Sequence, residues 1–340
     1  MALSIGVLAV QESLNACRRF LLRHQCRDGS WSDWDLPPGP SDSWTTAYVG
    51  YQLAAAPSEP VSVPSAAARA AAWLSQREFA SGGWGYNDRV GPDADSTAHA
   101  LLLLSSQQMG PSAAGYECLV GFQQSDGGFS TYLGDQGLGS WGVSHPDVTA
   151  VAARAILSIP QAAAAGLPVR DRAAVIERAL NYIARHRNPE GTWDSFWWSS
   201  PLYATAAALS LLRATGSPVA AEPTCSSLSR IHAENPFERG LCLDCYLHVL
   251  SDPRGRRSAP LVKALISEQL PDGSWSSLPI LRLTNRDCFD PARHDGAGPL
   301  FADPKRLFTS ATVFGALSGF VRRSRVPRRL GAARVSASGE

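Results

Sequence analysis

The chain is expected to be all-α: six helical hairpins closed into an α/α toroid, an inner barrel of parallel helices inside an outer one. Three observations predict this. A motif of Gln, three residues, Gly, one residue and an aromatic recurs along the 340 residues. Each copy follows a stretch with helical apolar spacing. Each also precedes a second apolar stretch that opens with Thr beside a small residue. Repetition of this kind means stacked hairpins that bury a shared core.

The first copy is Gln25-Cys26-Arg27-Asp28-Gly29-Ser30-Trp31, and its second helix opens at Thr46. The second unit has the helical pattern Ala68, Ala71, Ala72, Leu74, a looser copy from Gln76 to Gly82-Gly83-Trp84, and Thr97. The third is Gln123-Gln124-Ser125-Asp126-Gly127-Gly128-Phe129 with Thr149. The fourth follows Ala179, Leu180, Tyr182 and Ile183, begins with Arg in Arg187-Asn188-Pro189-Glu190-Gly191-Thr192-Trp193, and leads to Thr205. Another copy is Gln269-Leu270-Pro271-Asp272-Gly273-Ser274-Trp275, with Thr312. The gap from Trp193 to Trp275 leaves room for a motif-less hairpin near Ser227 to Leu250, which makes six. The Gly accepts a left-handed turn, the Gln bonds backbone there, and the aromatic packs between units. The Thr is expected to satisfy free N–H groups in the first helical turn. Closing the ring leaves no open repeat end to cap.

Composition narrows the function classes. A net charge of +1 gives no reason to expect nucleic acid or an acidic partner. No apolar run reaches eighteen residues, so no membrane span is expected. The start, Met1 to Val10, reads as the first helix and not as a signal peptide. Seven scattered cysteines suggest no disulfide framework and fit a reducing cytoplasm. Residues 1–321 read as one domain, and the Arg-rich stretch 322–340 as a disordered tail.

The segment Asp93-Ala94-Asp95-Ser96-Thr97-Ala98 carries the chemistry. It puts two carboxylates at the start of the inward-facing run Ala98-His99-Ala100-Leu101-Leu102-Leu103-Leu104. Acidic groups beside an apolar surface are costly, and two together repel, so at least one should hold its proton to higher pH. A proton held over an apolar hollow suits protonation of a carbon–carbon double bond. The repeat offers a control: Asp147 precedes Thr149 as Asp95 precedes Thr97, and helix capping explains either. Capping leaves Asp93 unexplained, since its counterpart is His145. His99, four residues after Asp95, and His145, in the next unit, can each orient or recharge the acid; a satisfied structural histidine is the equal alternative.

The repeats resemble the QW motifs of squalene–hopene cyclases. Gly191-Thr192-Trp193 through Phe196-Trp197-Trp198 to Pro201-Leu202-Tyr203-Ala204-Thr205 is similar to their Trp-rich stretch. The resemblance to the terpenoid cyclase and prenyltransferase superfamily covers about Ala16 to Val321. Class II members carry Asp-x-Asp-Asp before Thr-Ala. Here Ser96 follows Asp95, closer to the Asp-x-Asp-Thr-Thr variant of single-domain drimane-type cyclases. The resemblance implies Asp95 as general acid on carbon, with Asp93 holding its proton. It implies Trp197, Trp198, Tyr203, Trp141 and Trp44 as cation-stabilising aromatics, although packing explains Trp198 and Trp44 equally well.

An isoprenoid diphosphate substrate, farnesyl or geranylgeranyl, needs cations. The loop 282–306 offers Arg286, Arg293, Lys305 and Arg306, or is a solvated surface loop. Without Asp-Asp-x-x-Asp, metal-triggered ionisation is not expected; no cofactor is required, though Mg²⁺ can escort the diphosphate. The resemblance also leaves room for a partner domain, a phosphatase or a second copy completing the site. Two other motifs compete. Asp-x-Asp-x-Thr also opens haloacid-dehalogenase phosphatases, but there it must follow a buried strand. Cys242, Cys245 and His248 partly resemble the zinc site of protein prenyltransferases, although buried helical cysteines are the ordinary explanation. The alternatives to a cyclase are thus a zinc-dependent prenyltransferase-like enzyme or a non-catalytic toroid that binds a hydrophobic ligand or protein.

Overall fold

The computed structural model describes residues 7–55, 65–110, 112–134, 137–160, 171–219, 221–250 and 254–325. Twelve α-helices run through these residues as six hairpins. The outer members are α1 (Val7–Arg23), α3 (Ala66–Ser75), α5 (Ala113–Gly121), α7 (Arg172–Arg185), α9 (Ala221–Leu228) and α11 (Ser258–Ser267). The inner members are α2 (Ser43–Ala54), α4 (Ala94–Ser106), α6 (Pro146–Ser158), α8 (Leu202–Thr215), α10 (Pro236–Val249) and α12 (Leu307–Arg325). Each inner helix packs on the next, and α12 packs back on α2, so the inner barrel is a closed ring. The motif-less hairpin expected near Ser227 to Leu250 is α9–α10.

The turns show why the motif repeats. The glycine adopts positive φ, +101° at Gly29 and +92° at Gly273. It also lies tightly against the next outer helix: a Cβ on Gly273 would sit 2.3 Å from the Ala16 carbonyl oxygen. No other residue meets both conditions. The Gln amide binds its own turn and the neighbouring helix. Gln25 Nε2 donates to Gly29 O (2.8 Å) and Ala66 O (2.9 Å), and Gln269 Nε2 donates to Ser13 O (3.0 Å), which ties the last turn to the first helix. The Trp is fully buried, and its indole N–H reaches a carbonyl ten residues back on its own outer helix. Trp31, Trp84, Trp193 and Trp275 donate in this way to Leu21, Leu74, Ile183 and Leu265 at 2.8, 2.8, 2.7 and 2.6 Å.

The threonines do not cap, as the sequence suggested. Each clasps the motif's aromatic residue through its backbone. Thr46, Thr97, Thr149 and Thr205 accept from the N–H of Trp31, Trp84, Phe129 and Trp193 at 2.8, 3.0, 2.8 and 3.1 Å. Such a bond satisfies a buried donor that no water can reach. In the last hairpin the clasp is Ser310, which accepts from Trp275 N at 3.2 Å, and Thr312 instead bonds the Tyr48 hydroxyl at 2.8 Å.

Two insertions sit over one end of the barrel. Strands β1 (Asp33–Leu36) and β2 (Gly39–Ser41) pair antiparallel between α1 and α2. Strands β3 (Leu281–Arg282) and β4 (Leu300–Phe301) pair between α11 and α12, and Leu281 bridges to Trp198. The last helix continues through Arg325, past the boundary expected at residue 321; Arg322, Arg323 and Arg325 lie in its final turn, where cations suit the helix dipole. The rest of the expected tail, and the first six residues, lie outside the described ones. No helix among the described residues is long and apolar enough to cross a membrane.

Candidate active site

The inner helices are parallel, so their N-termini meet at one end of the barrel. The second residue of each points to the shared axis: Trp44, Asp95, Asp147, Tyr203, Phe237 and Phe308. This collar holds two carboxylates among four aromatics. Its rings touch: Trp44 and Phe308 are 4.8 Å apart, and Phe237 and Phe308 6.2 Å. Trp198 lies over the aromatic side, stacked on Tyr203 at 4.3 Å, Phe237 at 5.1 Å and Phe308 at 5.3 Å.

Above the collar opens a cavity of about 430 Å³, lined by Trp44, Tyr86, Tyr132, Trp141, Trp197, Trp198 and Tyr203 with Leu36, Leu138, Leu281 and Leu283. This is within the range of pockets that enclose a small ligand. All five aromatics expected from the sequence line it. Their polar ends are tied away: Trp197 Nε1 donates to Thr131 Oγ1 (2.8 Å) and Trp141 Nε1 to Thr284 O (2.7 Å). The faces are left for the cavity.

Asp95 lines this cavity, with its side chain 18% exposed. It has one strong donor, the Trp44 indole, 2.8 Å from Oδ2. Burial outweighs that bond and pushes the carboxyl up to about 7. His99 Nε2 lies 3.7 Å from Asp95 Oδ1 and 3.2 Å from the Tyr203 hydroxyl. Burial drives the His99 imidazole down to about 3, so a neutral ring faces the acid and the pair is no ion pair.

Asp93, expected to hold the proton of Asp95 in place, makes its own strong bonds elsewhere. It is the N-cap of α4: Oδ1 accepts from Ser96 N and Oδ2 from Ser96 Oγ, both at 2.7 Å. Capping, assigned from spacing to the Asp95 position, thus belongs two residues earlier. Asp93 still lines the cavity, and burial pushes it up to about 7. Ser96, the departure from Asp-x-Asp-Asp, serves this cap. His145 also lies away from Asp95. It stacks on Phe196 at 3.6 Å, with Nε2 2.8 Å from the Ser140 carbonyl oxygen, and burial drives it to about 3. It is a satisfied structural histidine.

Of the four cations expected at a headgroup, the structure brings one to the cavity. Arg286 lines it, 4.6 Å from the Trp141 ring centre, with Nη1 donating to Gly137 O at 2.9 Å. Arg293 is 74% exposed and pairs with Asp290. Lys305 is exposed and is not in the lining. Arg306 pairs with Asp272 at 2.9 Å and lies over Phe20. The residue missed is Arg282, at the start of the same loop. It lines the cavity, and its Nη1 is buried with no hydrogen-bond partner among the described residues. The pairing of β3 with β4, invisible to motif reading, turns it inward. Asp147 was read only as a control, yet it lines the same cavity and is 1% exposed.

No family model matches the chain. The type II terpene cyclase MstE from Scytonema superposes with a TM-score of 0.79 at 24% identity, over 94% of this chain and 99% of that one. The fold is that of the terpenoid cyclases. A protein from Actinoplanes shares this cyclase fold with a TM-score of 0.76 and 27% identity, over 92% and 99% of the two chains. The sequence resembles drimenyl diphosphate synthase of Streptomyces showdoensis, 28% identical in an alignment of 266 residues that covers 69% of this chain and 45% of that protein. It also resembles squalene-hopene cyclase of Schizosaccharomyces japonicus, 27% identical in an alignment of 210 residues that covers 52% of this chain and 31% of that protein. The chain thus matches less than half the length of these two cyclases. The Cys242, Cys245, His248 pattern gathers no cluster: among the described residues no group of three or more His, Cys, Asp or Glu is placed to hold a metal, and His248 faces Asp244 at 3.4 Å.

Proposed function

We propose that the chain is a class II terpene cyclase, started by protonation and acting on farnesyl or geranylgeranyl diphosphate to give a bicyclic drimane- or labdane-type product. One observation carries this: a half-buried carboxyl with a single indole donor opens on a cavity lined mainly by aromatic and apolar side chains. Asp95 gives its proton to the terminal alkene, and the cation moves along the folded chain as rings close. The faces of Trp197, Trp198, Tyr203, Trp141 and Trp44 stabilise it by cation–π contact. The N-terminus of α4 stabilises the carboxylate left on Asp95 and so strengthens the acid. Neutral His99, held by the Tyr203 hydroxyl, packs beside Asp95 and limits where its carboxyl can turn.

Arg282 and Arg286 line the same cavity and suit an anionic headgroup. They are cations, not metal ligands, so any Mg²⁺ would come with the diphosphate and takes no part in the proton step. Two relatives support the class of substrate: one bears the name of a diphosphate synthase, and MstE has been crystallised with geranylgeranyl dihydroxybenzoate as substrate. The test is incubation with farnesyl and geranylgeranyl diphosphate, then phosphatase treatment and product analysis. Ring-closed alcohols from either are expected; only linear alcohols would refute the reading. Arg282→Ala should raise KM by at least about tenfold, the worth of roughly 1.5–3 kcal/mol for a charged hydrogen bond.

A further inference from the structure

The collar carries a second carboxylate that the proton-donating step does not use. We infer that Asp147 is the ionised counter-charge to the cation and the base that ends the reaction. This rests on the cyclase reading above.

Six helix N-termini converge on the collar, each a partial positive charge. A carbocation formed above them is repelled unless negative charge is fixed nearby. Protonated Asp95 is neutral until its proton leaves and gains its charge only as the cation forms, so a negative charge in place beforehand must come from another group. Asp147 is the next residue round the ring and is bonded differently. Its Oδ2 accepts from the backbone N–H of Phe196 at 2.9 Å and of Trp197 at 3.2 Å. Its Oδ1 accepts from Val148 N at 3.1 Å. Three N–H donors select the carboxylate form, where Asp95 has one donor. Burial still raises Asp147, to about 6, but the three bonds oppose it. Asp93 is held differently: its two strong bonds both come from Ser96 at the cap of its own helix, and burial pushes it up to about 7, so it keeps its proton more firmly than Asp147.

Oδ1 keeps a lone pair for a proton. In the final step a C–H bond beside the cationic carbon breaks, its electron pair becomes the new C=C bond, and the proton passes to Asp147 Oδ1. One proton has then left Asp95 and one has reached Asp147, so the substrate is isomerised with no other reactant. Exchange with solvent resets both groups. The same bonds also hold the Phe196–Trp197 wall, so a merely structural role must be separated from a charged one.

Asp147→Asn does this, because the amide oxygen can still accept from Phe196 and Trp197. Thermal melting by circular dichroism confirms the fold. Turnover is expected to fall about 10²-fold, and the remaining product should shift from alkene to water-captured alcohol or to a prematurely quenched monocycle. Wild-type rate with wild-type product ratios would overturn the proposal. Should the variant not fold, binding decides. An isoprenoid diphosphate bearing a tertiary ammonium at the cationic carbon is compared with its neutral carbon isostere, on the wild-type chain and on Asp95→Asn. A preference of about tenfold or more for the ammonium in both supports a fixed charge at Asp147; equal affinities refute it. Failure of the cyclase reading looks different: the wild-type chain then closes no ring from either diphosphate, and the proposal falls with it.

Discussion

The second and third hairpins begin their inner helices alike, with Asp at the second helical position and Thr two residues on. Yet the two carboxylates differ in what reaches them. Asp95 meets one indole N–H and the open cavity. Asp147 meets three backbone N–H groups, two of them from the aromatic wall of the fourth hairpin. Position is a property of the repeat; protonation is a property of the donors that surrounding loops deliver. Two equivalent residues can therefore be acid and counter-charge in one hollow, as pairs pushed apart by their surroundings often are.

The largest effect that separates them is on initiation. Asp95→Asn should reduce ring formation by about 10³-fold or more while leaving the far-ultraviolet circular dichroism unchanged, since only a proton donor is lost. Equal residual activity in Asp95→Asn and Asp147→Asn would erase the distinction. Next comes what the hairpins share. Thr97 accepts from Trp84 N and donates to Trp84 O, both at 3.0 Å. Thr97→Val should cost about 1–3 kcal/mol in urea unfolding, because the Trp84 N–H is left buried and unpaired, while the Trp84 carbonyl still accepts from Asp93 N at 3.1 Å. Thr149→Val, which likewise leaves one N–H unpaired, at Phe129, should cost a similar amount.

A comparable effect lies in the pH dependence of stability. Burial raises Asp95 from 3.8 to about 7. A raised folded-state pKa means that its stabilising contribution is complete below about 3.8 and is lost as pH rises through about 7. Asp95→Asn lacks this loss, so relative to wild type it should gain about 2–3 kcal/mol between pH 5 and pH 8. Smallest is the effect of the single donor. Trp44→Phe removes a bond that favours the carboxylate, so the acid is weaker and stays protonated to higher pH. Turnover should fall about tenfold, a bond's worth near 1.4 kcal/mol, and the alkaline limb of the rate profile should move upward. An unmoved limb would show that the indole does not set the acidity of Asp95.

Much of the barrel was legible because its turn makes several demands at once. A positive-φ Gly against a neighbouring carbonyl, a Gln that bridges two helices and a Trp that reaches ten residues back leave few alternatives, so Gln25, Gly29 and Trp31 announce the hairpin. The collar was half legible. Counting two residues back from the clasp, at Thr46, Thr97, Thr149, Thr205 and Ser310, gives Trp44, Asp95, Asp147, Tyr203 and Phe308. The sequence shows Asp147 at this place, where capping explains it as well as chemistry does; Phe308 is hidden because Thr312, and not Ser310, reads as the last hairpin's threonine. The mouth was least legible. Arg282, Arg293 and Arg306 share one loop and one chemistry, and only strand pairing and local partners such as Asp290 and Asp272 decide which faces inward.

Isotope incorporation tests most directly whether Asp95 starts the reaction by protonating carbon. The wild-type chain is incubated in deuterium oxide with farnesyl and geranylgeranyl diphosphate, and products are examined before and after phosphatase treatment. A carboxylic acid in exchange with solvent predicts one deuterium on a carbon of the former terminal isoprene unit, with the diphosphate still attached, and none in Asp95→Asn. Cyclised product free of deuterium, accompanied by released inorganic diphosphate, would contradict it.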